Sequence, residues 1–312
     1  MRTNNKILIL GAKGMLGSDL CFVFKKDKPI CWDRNDLDIT NAKEVEKKIK
    51  KLNPKIVINA AAYTNVEMAE KDFVLAKKIN AEAVKYLVKI CAKIGAIFVH
   101  FSTDYVFDGK KKNGYQEKDK PTKPVNKYGL SKFLGEQEIL KLKSKTFNLK
   151  SYLIRISWLF GSKTEPIKHK NFVQTILKLA KEKKELKIIN DQFGKPTYTF
   201  DLAQATKKLL VSNKPFGIYH LPNEGTTTWY KFAKEIVRLA RRNPPSPRLR
   251  RMLSISDGIE FRRKLKKIKV LPCKTQDYRT LAKRPEYSIL INNKFSKLRS
   301  WKSALEGYLS LK

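Results

Sequence analysis

The feature that most constrains this chain lies near its start. Lys6–Leu10 is a short apolar, strand-like run that ends in Gly11-Ala-Lys-Gly14-Met-Leu-Gly17. Helical spacing follows from Met15 to Phe24. A strand that turns through glycines into a helix asks for a parallel sheet with the helix laid back across one face. In such a turn one glycine allows the reversal. Another lets a pyrophosphate approach the backbone, and a third lets helix and strand pack closely. The helix N-terminus then faces the negative charge. The spacing is G-x-x-G-x-x-G rather than G-x-G-x-x-G, so the turn takes its meaning from the strand and helix around it.

The alternation continues. Pro29–Trp32, Lys55–Ala60, Ala96–Ser102 and Ser151–Ile156 read as strands. Ala42–Leu52, Val74–Ile94 and Phe133–Leu142 read as helices. This order predicts an α/β fold with a doubly wound, Rossmann-type parallel sheet. The unbroken apolar run Ile56-Val57-Ile58 suits a strand covered on both faces. Such sheets bind ligands at the carboxyl ends of their strands. Chemistry is therefore expected in the loops after Leu10, Trp32, Ala60 and Ser102. The chain has 312 residues, beyond the roughly 250–300 at which a single core stops growing. Two lobes are expected. Residues 1–155, with part of 188–221, would bind a dinucleotide, and 156–312 would be mainly a smaller substrate-binding lobe.

Hydrophobic residues make up 42% of the chain, enough for a substantial core, and the net charge is +38. That field attracts anions of every kind. The lysines are spread along the chain at polar helical positions, as in Lys43–Lys51 and Lys178–Lys187. They read as a solvated surface, which sets dedicated nucleic-acid binding aside. One stretch differs. Arg241–Arg263 holds seven of the fourteen arginines, with Pro244, Pro245 and Pro247. It is expected to be a mobile basic insertion, a partner-binding arm being the alternative. Cys21, Cys31, Cys91 and Cys273 form no C-x-x-C pair and have no His cluster beside them. They are expected to be buried free thiols, without disulfide or metal roles. No apolar stretch reaches the roughly 18 residues of a membrane span, and no leader is read at the start. A soluble protein of the reducing cytoplasm is expected.

Two residue sets carry the chemistry. After the second strand come Asp33 and Arg34. The carboxylate suits a ribose hydroxyl pair, whereas the guanidinium suits a 2′-phosphate, so the choice between NADH and NADPH stays open. Further on lies Tyr128-Gly-Leu-Ser-Lys132. Residues four apart share a helix face, so phenol and ammonium can point into one site. A nearby cation is expected to lower the tyrosine pKa from about 10 toward the working range. Such a phenol can give its proton to a ketone oxygen as hydride arrives. Ser102-Thr103 ends the preceding strand and can hydrogen-bond the same oxygen.

The glycine turn with Y-x-x-x-K resembles the extended short-chain dehydrogenase/reductase superfamily. More closely, the chain resembles the dTDP-4-dehydrorhamnose reductase family. The resemblance rests on Asn59–Thr64 (NAAAYT) with Val66, Glu67, Ala69 and Glu70, on His100–Gly109 (HFSTDYVFDG) and on Asn126–Glu136 (NKYGLSKFLGE). It continues through Arg155–Gly161 (RISWLFG), Asn190–Thr197 (NDQFGKPT), Gly217–Leu221 (GIYHL) and Lys283–Ser288 (KRPEYS). It covers nearly the whole chain apart from the arginine-rich stretch.

The resemblance implies NADPH or NADH as cofactor and reduction of the C4 keto group of dTDP-4-dehydro-6-deoxy-L-mannose, giving dTDP-L-rhamnose. Gly14, Met15 and Leu16 would follow the pyrophosphate, within the cofactor turn that Gly11 and Gly17 bound. Asp38 and Ile39 would lie near adenine, and Ala62, Tyr63 and Thr64 would flank the cofactor toward the nicotinamide. Thr103 would polarise the carbonyl and Tyr128 would protonate it. Lys132 would tune Tyr128 and hold the nicotinamide ribose. Asp104 and Trp158 would contact the nucleotide-sugar substrate, and Arg284, read from its guanidinium alone, suits the substrate diphosphate. For Trp158 the alternative is core packing, and for Arg284 a surface position. Some members bind magnesium and dimerise. No clear match to the magnesium glutamates is found, so no metal is expected, while a homodimer is. The competing readings are another reductase or epimerase of nucleotide sugars, and a cofactor-binding regulatory subunit without catalysis.

Overall fold

The computed structural model describes residues 6–144, 149–161, 171–242, 246–252 and 258–310. Five strands follow one another in the first half: β1 Ile7–Leu10, β2 Ile30–Trp32, β3 Ile56–Asn59, β4 Ile97–Thr103 and β5 Ser151–Ile156. A sixth, Gly217–His220, joins them from far along the chain. Across the sheet the order is Gly217–His220, β5, β4, β3, β1, β2, and every pairing is parallel. The chain leaves β1 to one side for β2 and returns on the other for β3. That reversal opens a crevice at the carboxyl ends of β1 and β3. All four residues of β1 are buried, as expected of a strand covered by helices on both faces.

Leu8, Leu10, Val57 and Phe98 pack against Val45 and Ile49 of the Ala42–Leu52 helix and against Val84, Leu87 and Val88. Ile9, Ile58, Val99 and Ile154 face the other way, toward Leu16, Leu20 and Leu202. The Ala42–Leu52 helix starts where Asn41 accepts the Glu44 N–H. It stops at Asn53, which takes the left-handed conformation that asparagine tolerates. The second lobe has its own core, in which Phe160, Val173, Leu177, Phe232, Phe261 and Leu305 are buried. A two-stranded parallel ribbon, Glu185–Ile189 with Lys269–Cys273, borders it.

Three expectations are corrected. The helix read over Val74–Ile94 is interrupted: Phe73–Lys77 is α, Lys78–Glu82 makes a π turn, and Ala83–Ile94 resumes as α. The extra residue in the turn brings Asn80 to face the loop after β3, as described below. The end of the arginine-rich stretch is no mobile arm. Residues 243–245 and 253–257 lie outside the described ones, but Gly258–Lys267 is a helix that buries Phe261 and Leu265. Arg241 caps it by donating to the Leu265 and Ile268 carbonyls at 2.7 and 2.9 Å. The i, i+4 apolar pair was hidden among basic residues that occupy the outer face. Finally, Cys21 and Cys31 are joined as a disulfide, so they are not free thiols. The Met15–Val23 helix lies beside β2 and brings their Cα atoms to 6.3 Å. Cys91 and Cys273 are free, and only Cys91 is buried.

Candidate active site

The glycine turn sits at the carboxyl end of β1. Gly11 has φ +77°, and a side chain there would meet the Ala61 nitrogen at 2.6 Å. A side chain at Gly17 would run into the Gly11 carbonyl oxygen. Turn, helix and the loop after β3 are therefore in direct backbone contact. Gly14 is the helix N-cap, and no side chain caps that end. The first helical N–H groups, at Met15, Leu16 and Gly17, are thus presented for an anion. This arrangement fits a dinucleotide pyrophosphate. Gly17→Ala is expected to displace the turn and weaken NADPH or NADH binding at least about tenfold, some 1.4 kcal/mol. Fluorescence titration of the nicotinamide checks it, and unchanged affinity would remove the turn from the cofactor site.

Asp33 follows β2 and pairs with Lys13 of the glycine turn. That ammonium, with the Asn35 N–H at 2.7 Å, holds the carboxylate below its usual range. Arg34 is exposed beside it. Asp38 closes a local turn by accepting from the Thr40 N–H and hydroxyl, at 2.9 and 2.8 Å, and Ile39 is buried.

Ala62, Tyr63 and Thr64 form the loop after β3. Asn80 clamps it. The Asn80 Oδ1 accepts the Tyr63 N–H, and its Nδ2 donates to the Tyr63 carbonyl, both at 2.9 Å. Nδ2 also reaches the Ser131 hydroxyl at 2.9 Å, and Ser131 in turn donates to the Tyr128 carbonyl at 2.7 Å. Asn80 thus ties the loop to the Lys127–Ser144 helix. Sequence reasoning missed it, because the only signal was a polar residue inside an apolar helical pattern.

Thr103, Tyr128 and Lys132 come together where β4 ends. Thr103 donates to Asp104 at 2.8 Å. A hydrogen bond with Thr103 also favours the Tyr128 phenolate, but burial and the Asp104 carboxyl push that phenol well above its usual range. Its ring lies edge-on to Tyr105, centroids 5.9 Å apart. Lys132 is buried, and its ammonium value falls to about 8 because of that burial, with Glu136 opposing. The expectation that Lys132 lowers the tyrosine pKa is therefore corrected. Burial dominates, and Nζ is turned toward the Phe101 carbonyl at 2.7 Å and His100 Nε2 at 3.1 Å. A phenol that keeps its proton is the form a proton donor needs.

Asp104 is buried, and its Oδ2 has no hydrogen-bond partner among the described residues. Burial raises its pKa from 3.8 to about 7. Between those values the folded chain holds a proton that the unfolded chain releases. Stability therefore falls as pH rises through that window, the reverse of a salt-bridged carboxylate. Asp104→Asn should remove this fall. Denaturation midpoints between about pH 4 and pH 8 test it, and parallel curves for both proteins would count against a buried neutral Asp104.

A cavity of about 350 Å³ opens beside Tyr105, lined also by Phe172, Lys187, Gln192, Trp229 and Arg284. Arg284 bonds Glu67 at 2.5 Å while lining this cavity. Trp158 stands behind Trp229, rings stacked at 3.6 Å and 9°, and donates to the Ser288 hydroxyl at 3.1 Å. Its φ of +46° is strained for a tryptophan, and such strain gathers at functional sites. Lys13, Lys187 and Trp229 were not singled out from sequence, where lysines are spread along the whole chain.

The profile of the RmlD substrate binding domain matches residues 5–311. A dTDP-4-dehydrorhamnose reductase of Burkholderia thailandensis is 36% identical over 298 residues, covering 92% of this chain and 90% of that one. The spore coat polysaccharide biosynthesis protein SpsK of Bacillus subtilis is 36% identical over 310 residues, covering 97% and 96%. The crystal structure of dTDP-4-dehydrorhamnose reductase from Bacillus anthracis, in complex with NADP, superposes with a TM-score of 0.83 at 34% identity, covering 98% and 99%. Thermus thermophilus UDP-glucose 4-epimerase, in complex with NAD, shares the fold at a TM-score of 0.72 and 16% identity over 98% of each chain.

Proposed function

The chain belongs to the RmlD substrate binding domain family, that of the dTDP-4-dehydrorhamnose reductases, and from that premise we propose how its site works. It is an NAD(P)H-dependent oxidoreductase that reduces dTDP-4-dehydrorhamnose to dTDP-rhamnose. When bound, the cofactor supplies the hydride. The backbone of Gly11–Gly17 holds its pyrophosphate, Asp33, Arg34, Asp38 and Ile39 border its adenosine, and Ala62–Thr64 flank the nicotinamide half. Thr103 and Tyr128 bind the C4 carbonyl oxygen, and Tyr128 gives it the proton. Lys132 holds the nicotinamide ribose.

The sugar nucleotide occupies the cavity beside Tyr105. Lys187 and Arg284 meet its diphosphate there, and Trp229, backed by Trp158, offers an aromatic face to the base. Asp104, with an unused buried oxygen, takes a sugar hydroxyl. The observation that carries this reading is the meeting of Thr103, Tyr128 and Lys132 at the carboxyl end of β4, the sheet edge that also carries the glycine turn.

We read residues 1–155, with part of 188–221, as the cofactor lobe and the remainder as the substrate lobe. No helix among the described residues is long and apolar enough to cross a membrane. We place the enzyme in the cytoplasm, where NAD(P)H and nucleotide sugars occur. Exposed Met68, Val74 and Leu75 on two short adjoining helices support a homodimer, which sedimentation would test.

The functional test is cofactor oxidation by purified protein, with NADPH or NADH and dTDP-4-dehydrorhamnose generated in situ. Oxidation that requires the sugar nucleotide supports the reading. Retained cofactor binding without oxidation would instead make this chain a regulatory subunit or a reductase of another nucleotide sugar.

A further inference from the structure

Two stretches far apart in the chain, Val66–Lys71 and Leu281–Arg284, are joined by a single carboxylate. Glu67 Oε2 accepts the Leu281 N–H at 2.8 Å and the Ala282 N–H at 3.3 Å. Its Oε1 accepts from Arg284 Nη2 at 2.5 Å. Partial burial opposes ionisation of this carboxyl. The N–H groups of Ala282 and Leu281 and the Arg284 guanidinium outweigh it and hold the carboxyl below its usual range. Glu67 is therefore charged at neutral pH, with three donors gathered on it.

The helix that carries Glu67 is itself fixed. It follows directly on the Ala62–Thr64 loop, and Asn65 caps it by accepting the Met68 N–H at 3.1 Å. One turn on, Glu70 accepts the Lys127 N–H at 2.8 Å, at the start of the helix that holds Tyr128. The stretch that Glu67 grips ends a strap. The strap begins at Thr275, whose N–H and hydroxyl donate to Asp191 at 2.9 and 2.6 Å. Between these two carboxylates residues 276–281 are exposed. Thr275, Tyr278, Thr280 and Arg284 of the strap line the cavity beside Tyr105. One wall of that cavity is thus clasped at either end. Arg284 has a second support: its guanidinium lies over the Tyr105 ring, 6.0 Å from the centroid. A guanidinium carries five N–H donors, so pairing with Glu67 orients the group without exhausting it.

We propose that Glu67 is a positioning residue for the sugar nucleotide: by clasping Leu281, Ala282 and Arg284 it aims the Arg284 guanidinium at the substrate diphosphate. This rests on the proposed placing of the diphosphate in that cavity. Glu67 has two opposed effects on an anion there. Its charge repels the diphosphate, and its hydrogen bonds hold in place the cation that attracts it. The Glu67 and Arg284 side chains are 36% and 21% exposed, so water and salt weaken the repulsion. The three bonds act through geometry, which screening leaves alone. An arginine already held in its binding conformation saves the ordering of a long side chain when the ligand arrives. Positioning therefore outweighs repulsion. A partly exposed ion pair adds little to fold stability, so the effect of this one belongs in binding.

Calorimetric titration of dTDP into the NADPH-loaded, full-length protein measures this apart from turnover. Glu67→Gln keeps the length of the side chain but leaves one oxygen for three donors. It should weaken dTDP binding roughly tenfold. Coulomb's law alone predicts the reverse, tighter binding of an anion once a nearby carboxylate is gone. In steady-state assays KM for the sugar nucleotide should rise by the same factor, with kcat within about threefold, since Thr103, Tyr128 and Lys132 are untouched. Arg284→Gln should weaken dTDP as well, and adding Glu67→Gln to it should cost nothing more, because the residue that Glu67 aims is already gone. The strap stays attached in all three variants, because Asn126 Nδ2 still donates to the Lys283 carbonyl at 2.9 Å. Unchanged or tighter dTDP binding by Glu67→Gln, with Arg284→Gln weakened, would overturn the proposal and leave the reading of the cavity standing. Losses that add in the double variant would overturn it too, since they would make Glu67 a structural clasp independent of Arg284. Normal dTDP binding by Arg284→Gln would sink both the proposal and the placing of the diphosphate.

Discussion

Replacing Tyr128 with phenylalanine is expected to lower turnover by roughly 10²–10⁴-fold, the range typical of a lost proton donor. The substitution removes one oxygen and leaves the ring against Tyr105. It touches neither the glycine turn nor the Asn80 clamp on the loop after β3. Cofactor affinity should therefore stay within about twofold, so the loss falls on kcat as well as on kcat/KM. Direct titration of NADPH, alongside the rate of its sugar-dependent oxidation, separates the two effects. Turnover within about tenfold of the wild type would mean that another group or water delivers the proton.

The second large effect concerns stability. Glu136 and Arg155 are both fully buried and bonded through two oxygens and two nitrogens at 3.0 and 2.7 Å. The guanidinium also lies over the Phe107 ring, 4.9 Å from its centroid. Glu136→Leu would leave a cation in this interior with no carboxylate. Breaking such a pair costs about 3–5 kcal/mol, because the remaining charge keeps its desolvation penalty. The double variant Glu136→Leu with Arg155→Met should recover most of that loss, since an apolar replacement of a buried pair is often nearly neutral. Urea denaturation of the wild type and the two variants measures it. A loss below about 1 kcal/mol for the single change would show that water reaches Arg155 when its partner is gone.

The backbone plan was largely legible in the sequence, and the site was legible only in part. β1, β2, β3, β4 and β5 fall within a residue or two of the apolar runs that marked them, and Ala42–Leu52 is a helix over its whole expected length. Period and glycine position suffice for that, because both are local. The glycine turn and the tyrosine–lysine pair were visible for the same reason. The buried contact of Asn59 with His100 was not, since parallel pairing places residues 41 positions apart side by side. Asn80 was hidden by a π turn that no helical periodicity announces. The stacking of Trp229 on Trp158 depends on how the second lobe returns to the first. Cys21 and Cys31 looked unrelated until the helix after β1 was laid alongside β2. In each case the missing information was tertiary, and the residue type by itself was ordinary.

The late arrival of the Gly217–His220 strand has a consequence for motion. The chain completes the parallel sheet only after passing through much of the second lobe, then leaves again to finish that lobe with the Trp229–Arg242 and Trp301–Leu309 helices. The lobes are thus stitched together by several covalent passages instead of a single linker. A body held at several points cannot swing freely or slide. No cut at a single peptide bond would therefore release either lobe with its sheet complete.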